Sequence, residues 1–296
     1  MAGIRSGTLP VVHHRHMALD GMEIFYREAG KGNARTLLLL HGFPASSHMF
    51  RRLLPALAGE FHVVAPDLPG FGLSSSPDRS GFPYTFGMFA ETMEAFVSRL
   101  GIARYGIYVM DYGAPTGFRM MLRDPDRVAC IVTQNGNAYE EGLSSFWAPL
   151  RALWADNSPA RRDALRHLVT PAMTRCQYVD GVPDPSRLDP AAWLHDQILL
   201  DRPGNVEIQL DLFYDYRENV RLYPEFQACF RSRQPPMLVV WGQNDQIFLP
   251  AGARAFLRDL PDAELHLLDT GHFALEDKLD EIAPLIGDFL SRRFVP

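Results

Sequence analysis

The chain has 296 residues, 47% of them hydrophobic and 22% charged, with a formal net charge of −6. Disordered and fibrous classes are excluded, because enough apolar mass is present to bury a large core. The acidic balance argues against nucleic acid and against an anionic membrane surface, since either needs a basic patch facing phosphate. Cys130, Cys176 and Cys229 are isolated, without CxxC spacing. That pattern fits a reducing compartment and rules out a thiolate zinc site of the usual spacing. Met1–His16 has no apolar run of signal-sequence length, and no stretch approaches the ~20 apolar residues of a membrane span. The expected location is the cytoplasm.

Met17–Leu19 and Glu23–Arg27 read as strands joined by an Asp20-Gly21 turn. Thr36–Leu40 is a continuous apolar run, as expected of a strand buried on both faces, and Phe61–Ala65 is another. Thr85–Leu100 has helical spacing, followed by a strand at Tyr105–Met110, a helix at Ala114–Leu122 and a strand at Val128–Gln134. From about Ala138 to Arg233 only helical stretches occur. Sheet patterning resumes at Pro236–Trp241 and Glu264–Leu268, with helices at Gly252–Leu260 and Leu279–Phe294. This alternation predicts an α/β fold with a mostly parallel sheet between helices. The expected organisation is a core domain of 1–137 and 234–296 carrying a helical cap, or lid, of 138–233, which could exclude water from a site beneath it.

Ligands in open parallel sheets bind beyond the carboxyl ends of the strands. Four strand ends carry reactive or loop-forming residues: His41-Gly42-Phe43-Pro44, Asp111-Tyr112-Gly113, Asp245 after Trp241-Gly242, and Gly271-His272. Their order is oxyanion loop, nucleophile, acid, histidine. These segments, with Asp67-Leu68-Pro69-Gly70-Phe71-Gly72, resemble the α/β-hydrolase superfamily over nearly the whole chain outside the lid. No G-x-S-x-G occurs, and the strand-to-helix turn holds Asp111 instead of serine. The chain therefore resembles the aspartate-nucleophile branch: epoxide hydrolases, haloalkane dehalogenases and fluoroacetate dehalogenases. Val109 departs from the glycine that branch usually has at the turn. As plain structural residues, Asp111 would be a helix N-cap and Asp245 a turn residue.

A carboxylate is ionised at neutral pH and attacks without a base to activate it. On an ester it would form an anhydride, which readily reverts; on a saturated carbon it forms an alkyl ester that can later be hydrolysed. Epoxides and carbon–halogen bonds are the substrates that suit it. His272 would activate the hydrolytic water, with Asp245 fixing its tautomer. Glu140 and Glu141 are rivals for the acid role. The resemblance further implies that the backbone N–H groups of Phe43 and Tyr112 form the oxyanion hole. It maps the proton donor for an epoxide oxygen onto Tyr216, within Tyr214-Asp215-Tyr216-Arg217. The alternative for Tyr216 is lid packing against Leu212 and Val220. Epoxide hydrolases also carry a tyrosine early in the lid, but none lies in Gly142–Asn157, so Tyr139 and Tyr178 are the substrate-binding candidates. Trp147 is a further one, and its indole N–H would suit a departing halide.

Fluoroacetate dehalogenases bind the substrate carboxylate with arginines at positions held here by Tyr112 and Pro115. A haloacid would then bury an unpaired charge, so a neutral small molecule is the expected substrate. No phosphate loop or dinucleotide fingerprint is present, and neither cofactor nor metal is expected. His13, His14 and His16 read as solvated and His266 as a packed strand residue, while His195 is a lid residue with ligand contact as the alternative to packing. The leading expectation is a cofactor-independent epoxide hydrolase acting through a covalent alkyl ester. Haloalkane dehalogenase chemistry with the same triad is the alternative, and a non-catalytic ligand-binding member of the fold is the third reading. A homodimer is compatible with all three.

Overall fold

Leu37, Leu38, Leu39 and Leu40 are wholly buried, and a strand so buried needs cover on both faces. In the computed structural model, which describes residues 10–294, they form the middle of an eight-stranded sheet. Part of the N-terminal segment read for targeting, residues 1–9, lies outside the described residues. The strands are β1 (Val12–Leu19), β2 (Met22–Ala29), β3 (Thr36–Leu40), β4 (His62–Pro66), β5 (Tyr105–Val109), β6 (Val128–Gln134), β7 (Met237–Gly242) and β8 (Glu264–Leu268). Their spatial order is β1-β2-β4-β3-β5-β6-β7-β8. β1 and β2 pair antiparallel with each other, β2 pairs antiparallel with β4, and the remaining pairs are parallel.

The helices in chain order are α1 (Leu53–Leu57), α2 (Phe86–Arg99), α3 (Gly113–Arg123), α4 (Ala148–Ala155), α5 (Pro159–Ala164), α6 (Pro171–Val179), α7 (Pro190–Leu200), α8 (Asn205–Arg233), α9 (Pro250–Asp259) and α10 (Leu279–Arg293). α1 and α10 pack together on one side of the sheet, where Leu53, Leu57, Ile282, Ile286 and Phe289 meet Leu37, Leu39 and Val63. α2, α3 and α9 belong to the other side, where Phe89, Phe96, Phe118 and Phe256 meet Leu38, Leu40 and Val109. α8 carries an apolar stripe (Leu212, Tyr216, Tyr223, Phe226, Phe230) into that second layer, against α2, α3 and α9. α4 to α8 all lie between β6 and β7, and the described residues of that interval include no strand.

The expected elements are present with modest shifts at their ends. β1 extends back to Val12, beyond the Met17 start that periodicity suggested. The reason is its edge position: His13, His14 and His16 point to solvent, so the apolar alternation fades while the ladder continues. His16 pairs with Glu23 across the strands at 2.8 Å. α1 is a single turn, too short to show a period.

Val109, the residue that replaces the usual glycine, is accommodated from the helix side. A Cβ added to Gly117 of α3 would lie 2.6 Å from Val109 Cγ1. The missing side chain at Gly117 is thus the space that Val109 fills. Gly117→Ala should cost about 1–3 kcal/mol through overpacking. Thermal unfolding should show a lowered Tm, which the double variant Val109→Ala/Gly117→Ala partly restores.

Candidate active site

Asp111 follows β5 and precedes α3, with a backbone φ of +46°, a left-handed conformation that is uncommon for a side-chain-bearing residue. The turn closes through Gly113 N–H donating to the Met110 carbonyl at 2.7 Å and Ala114 N–H donating to the Asp111 carbonyl at 3.0 Å. Two glycines make room. A Cβ on Gly113 would lie 2.1 Å from the Leu40 carbonyl oxygen, and one on Gly42 would lie 2.3 Å from Asp111 Cβ. Only glycine at both positions lets the turn nest against the end of β3.

The two carboxylate oxygens of Asp111 meet different surroundings. Oδ1 accepts from the backbone N–H of Phe43 and of Tyr112, each at 2.7 Å. Oδ2 lies 3.9 Å from His272 Nε2 and, among the described residues, has no hydrogen-bond donor of its own. Burial raises the carboxyl pKa to about 6, while the His272 charge and the two N–H groups pull the other way. At pH 7 the group remains mostly ionised.

The loop that supplies the Phe43 N–H is itself fixed. His41, fully buried and with its pKa lowered by that burial, accepts from Leu68 N–H on Nε2 at 3.0 Å. Asp67 accepts from Ser47 N–H at 2.6 Å and from Leu73 N–H at 2.7 Å. The Asp67–Gly72 segment therefore acts as a brace for the His41–Pro44 loop.

His272 Nδ1 donates to Asp245 Oδ2 at 2.8 Å, and its Nε2 is buried without a hydrogen-bond partner. Burial works to lower the imidazole pKa, but the Asp245 charge and hydrogen bond, with the Asp111 charge, outweigh it and the net shift is upward. Asp245 accepts in addition from Ile247 N–H at 2.7 Å and from Asn135 Nδ2 at 2.7 Å. Gln134, next to it at the end of β6, donates to the His272 carbonyl at 2.8 Å. The adjacent amides of Gln134 and Asn135 thus pin both the acid and the histidine. They were not singled out from the sequence, since neutral amides at a strand end carry no chemical signature. Glu140 and Glu141 take no part: they pair with Arg151 and Arg258 near the surface, each at 2.7 Å.

Beside Asp111 is a small inner chamber of about 20 Å³, with Phe43, Tyr112, Trp147, Leu150 and Phe213 in its walls. An outer chamber of about 170 Å³ is bounded by Met173, Cys176, Asp180, Asp245, Gln246 and His272. Phe146, Gln177 and Ile247 border both.

The lid candidates divide. Tyr216 of α8 is buried, with ring centroids 4.4 Å from Trp147 and 6.1 Å from Tyr112. The hydroxyls of Tyr216 and Tyr112 are both buried without a close hydrogen-bond partner, although the Tyr223 hydroxyl neighbours that of Tyr216 and acts on it as a hydrogen-bond partner, and Tyr216 itself lines neither chamber. Burial pushes both phenols well above their ordinary pKa, so they keep their protons. The free hydroxyl of Tyr112 was overlooked in the sequence, where only its backbone had a role. Trp147 lines the chamber, but its indole N–H donates to the Ile247 carbonyl at 3.0 Å, so the expectation of a free N–H for halide is corrected. Neither Tyr139 nor Tyr178 is brought to the chambers. Tyr139 donates to Asp259 at 2.8 Å beneath α9, and Tyr178 donates to Asp196 while stacking on Phe273. His195 stacks on His48 with centroids 4.1 Å apart and lies in neither chamber wall.

Comparison with known proteins accords with this fold. Residues 35–279 match the family described as alpha/beta hydrolase fold. An uncharacterized hydrolase of Saccharomyces cerevisiae is 46% identical over 91% of this chain and 94% of its own length. A haloalkane dehalogenase of Bradyrhizobium diazoefficiens is 37% identical over 94% of each. Among solved structures, a mutant of the haloalkane dehalogenase DatA from Agrobacterium tumefaciens superposes with TM-score 0.79 at 20% identity, covering 95% of this chain and 97% of that one. The epoxide hydrolase CorEH superposes with TM-score 0.75 at 19% identity, covering 95% and 99%. The chain belongs to the alpha/beta hydrolase fold family and is a hydrolase. No helix among the described residues is long and apolar enough to cross a membrane.

The histidine environment gives a direct check. Asp245→Asn removes the charge that raises the His272 pKa, so that pKa should fall. NMR titration of the His272 ring should show the change.

Proposed function

We propose that the protein hydrolyses small neutral epoxides through a covalent alkyl ester on Asp111. The observation that carries this reading is the asymmetry of the Asp111 carboxylate, one oxygen held by two N–H groups and the other left for bonding. Oδ2 attacks an oxirane carbon, the C–O bond breaks, and its electron pair stays on oxygen. The Tyr216 hydroxyl, with that of Tyr112 beside it, supplies the proton. Water then loses a proton to His272 Nε2 and attacks Cγ of the ester, and the charge that develops on Oδ1 is met by the Phe43 and Tyr112 N–H groups. Collapse breaks the Cγ–Oδ2 bond, and the diol leaves with the proton from His272. The second water proton, left on Asp111, restores the tyrosine.

In this reading 138–233 is a cap domain over a core of 1–137 and 234–296, and it keeps bulk water from the ester. The unpartnered hydroxyl of Tyr112, in the wall of the chamber beside Asp111, favours an oxygen leaving group over a halide, for which Trp147 lacks a free N–H. Carbon–halogen hydrolysis is the second reading, and it draws on the 37% identity to the Bradyrhizobium dehalogenase.

His272→Gln protein mixed with an epoxide should accumulate an adduct of the substrate's mass on Asp111, whereas Asp111→Asn should form none. Intact mass spectrometry with peptide mapping reads both, and halide release from 1-bromobutane without diol formation would select the second reading. The pH profile provides a separate check. Protonation of Asp111 removes the nucleophile, so kcat/KM should fall as pH drops through about 6, well above an ordinary aspartate limb. Both tyrosines stay protonated into the alkaline range, so no tyrosine limb should appear below pH 10.

A further inference from the structure

Gln177 stands on α6, 6% exposed, and borders both the inner and the outer chamber. Phe146 and Ile247, which also border both chambers, are apolar, and among the described residues the Gln177 side-chain amide makes no hydrogen bond to protein. The adjacent lid polar groups are committed elsewhere: Thr174 donates to Gln197 at 2.6 Å, and Tyr178 donates to Asp196. An amide with no protein partner that borders a chamber is free to pair with a ligand, and a site that offers such a group discriminates in favour of ligands able to use it. The inner chamber, about 20 Å³, is much smaller than the outer, about 170 Å³.

Resting on the epoxide reading above, we propose that Gln177 is a specificity-determining residue that selects terminal epoxides carrying a hydrogen-bond acceptor one or two atoms from the ring. The unsubstituted oxirane carbon enters the inner chamber against Asp111. The substituent passes Gln177, whose Nε2 donates to its oxygen, and the remainder occupies the outer chamber. Glycidyl ethers have this chemistry, and 1,2-epoxyalkanes have the same shape without the acceptor.

The test compares ethyl glycidyl ether with its isostere 1,2-epoxyhexane on wild type, Gln177→Leu and Gln177→Met. Wild type should favour the ether in kcat/KM by about three- to tenfold, the worth of one neutral hydrogen bond. Both variants should lose that preference, because the ether loses its donor while 1,2-epoxyhexane no longer leaves an amide unpaired and is turned over at least as fast as by wild type. A preference that survives both substitutions overturns the assignment, and so does an equal loss on both substrates. Wild-type hydrolysis of 1,2-epoxyhexane separately tests the epoxide reading. If it occurs with no preference for the ether, Gln177 has no selective role; if neither epoxide is turned over, the reading beneath it fails first. Intact-mass detection of the alkyl-enzyme in Gln177→Leu/His272→Gln protein shows whether the substituted site remains assembled.

Discussion

The arrangement depends on how one carboxylate is divided between its two oxygens. Two backbone N–H groups at 2.7 Å hold Oδ1 of Asp111 and thereby orient Oδ2. Charge-assisted hydrogen bonds of this kind are roughly twice as strong as neutral ones, so they define the rotamer as well as the charge. Their geometry requires a strained φ at Asp111, and the strain is tolerable because Gly42 and Gly113 allow β3 and the turn to approach within contact distance. The same donors that steady the resting carboxylate are positioned for the charge that would return to Oδ1 during hydrolysis. Little reorganisation separates the two states, which is the condition for a preorganised site.

Around that centre the buried charges are balanced. Asp111 and Asp245 flank a single imidazole, and His272 is raised because it lies between them. In the proposed mechanism, a neutral ester on Asp111 would remove one of those two negative neighbours. His272 is then easier to hold in the neutral form, which is the form that can accept a proton from water. Burial acts on Asp111 in the opposite sense, weakening its preference for ionisation, which would sharpen it in the proposed role of nucleophile. Asn135 and Gln134 hold this balance in place without adding charge.

Much of this could be read from the sequence, because it rests on local chain geometry. The apolar runs at 36–40, 61–65 and 128–134 mark buried strands, and reactive residues directly after strands mark the site. Asp111 at the turn was legible because no serine competes for the position. Other features depend on partners far along the chain. The indole of Trp147 is occupied by the Ile247 carbonyl, and the hydroxyl of Tyr139 by Asp259, so neither could be judged as free from its neighbours alone. Val109 departs from the usual residue and is explained only by Gly117 one helix turn into α3. The hydroxyls without partners, and the amide of Gln177, are visible only once burial and contacts are known.

The central claim is that Asp111 bonds to substrate and gives up one of its own oxygens. A single turnover in heavy-oxygen water, with enzyme in excess over epoxide, measures this directly. The account predicts that the diol leaves with ordinary oxygen while the peptide containing Asp111 gains the heavy isotope. Heavy oxygen in the diol, with the Asp111 peptide unlabelled, would mean that water attacks the substrate itself and would contradict the account.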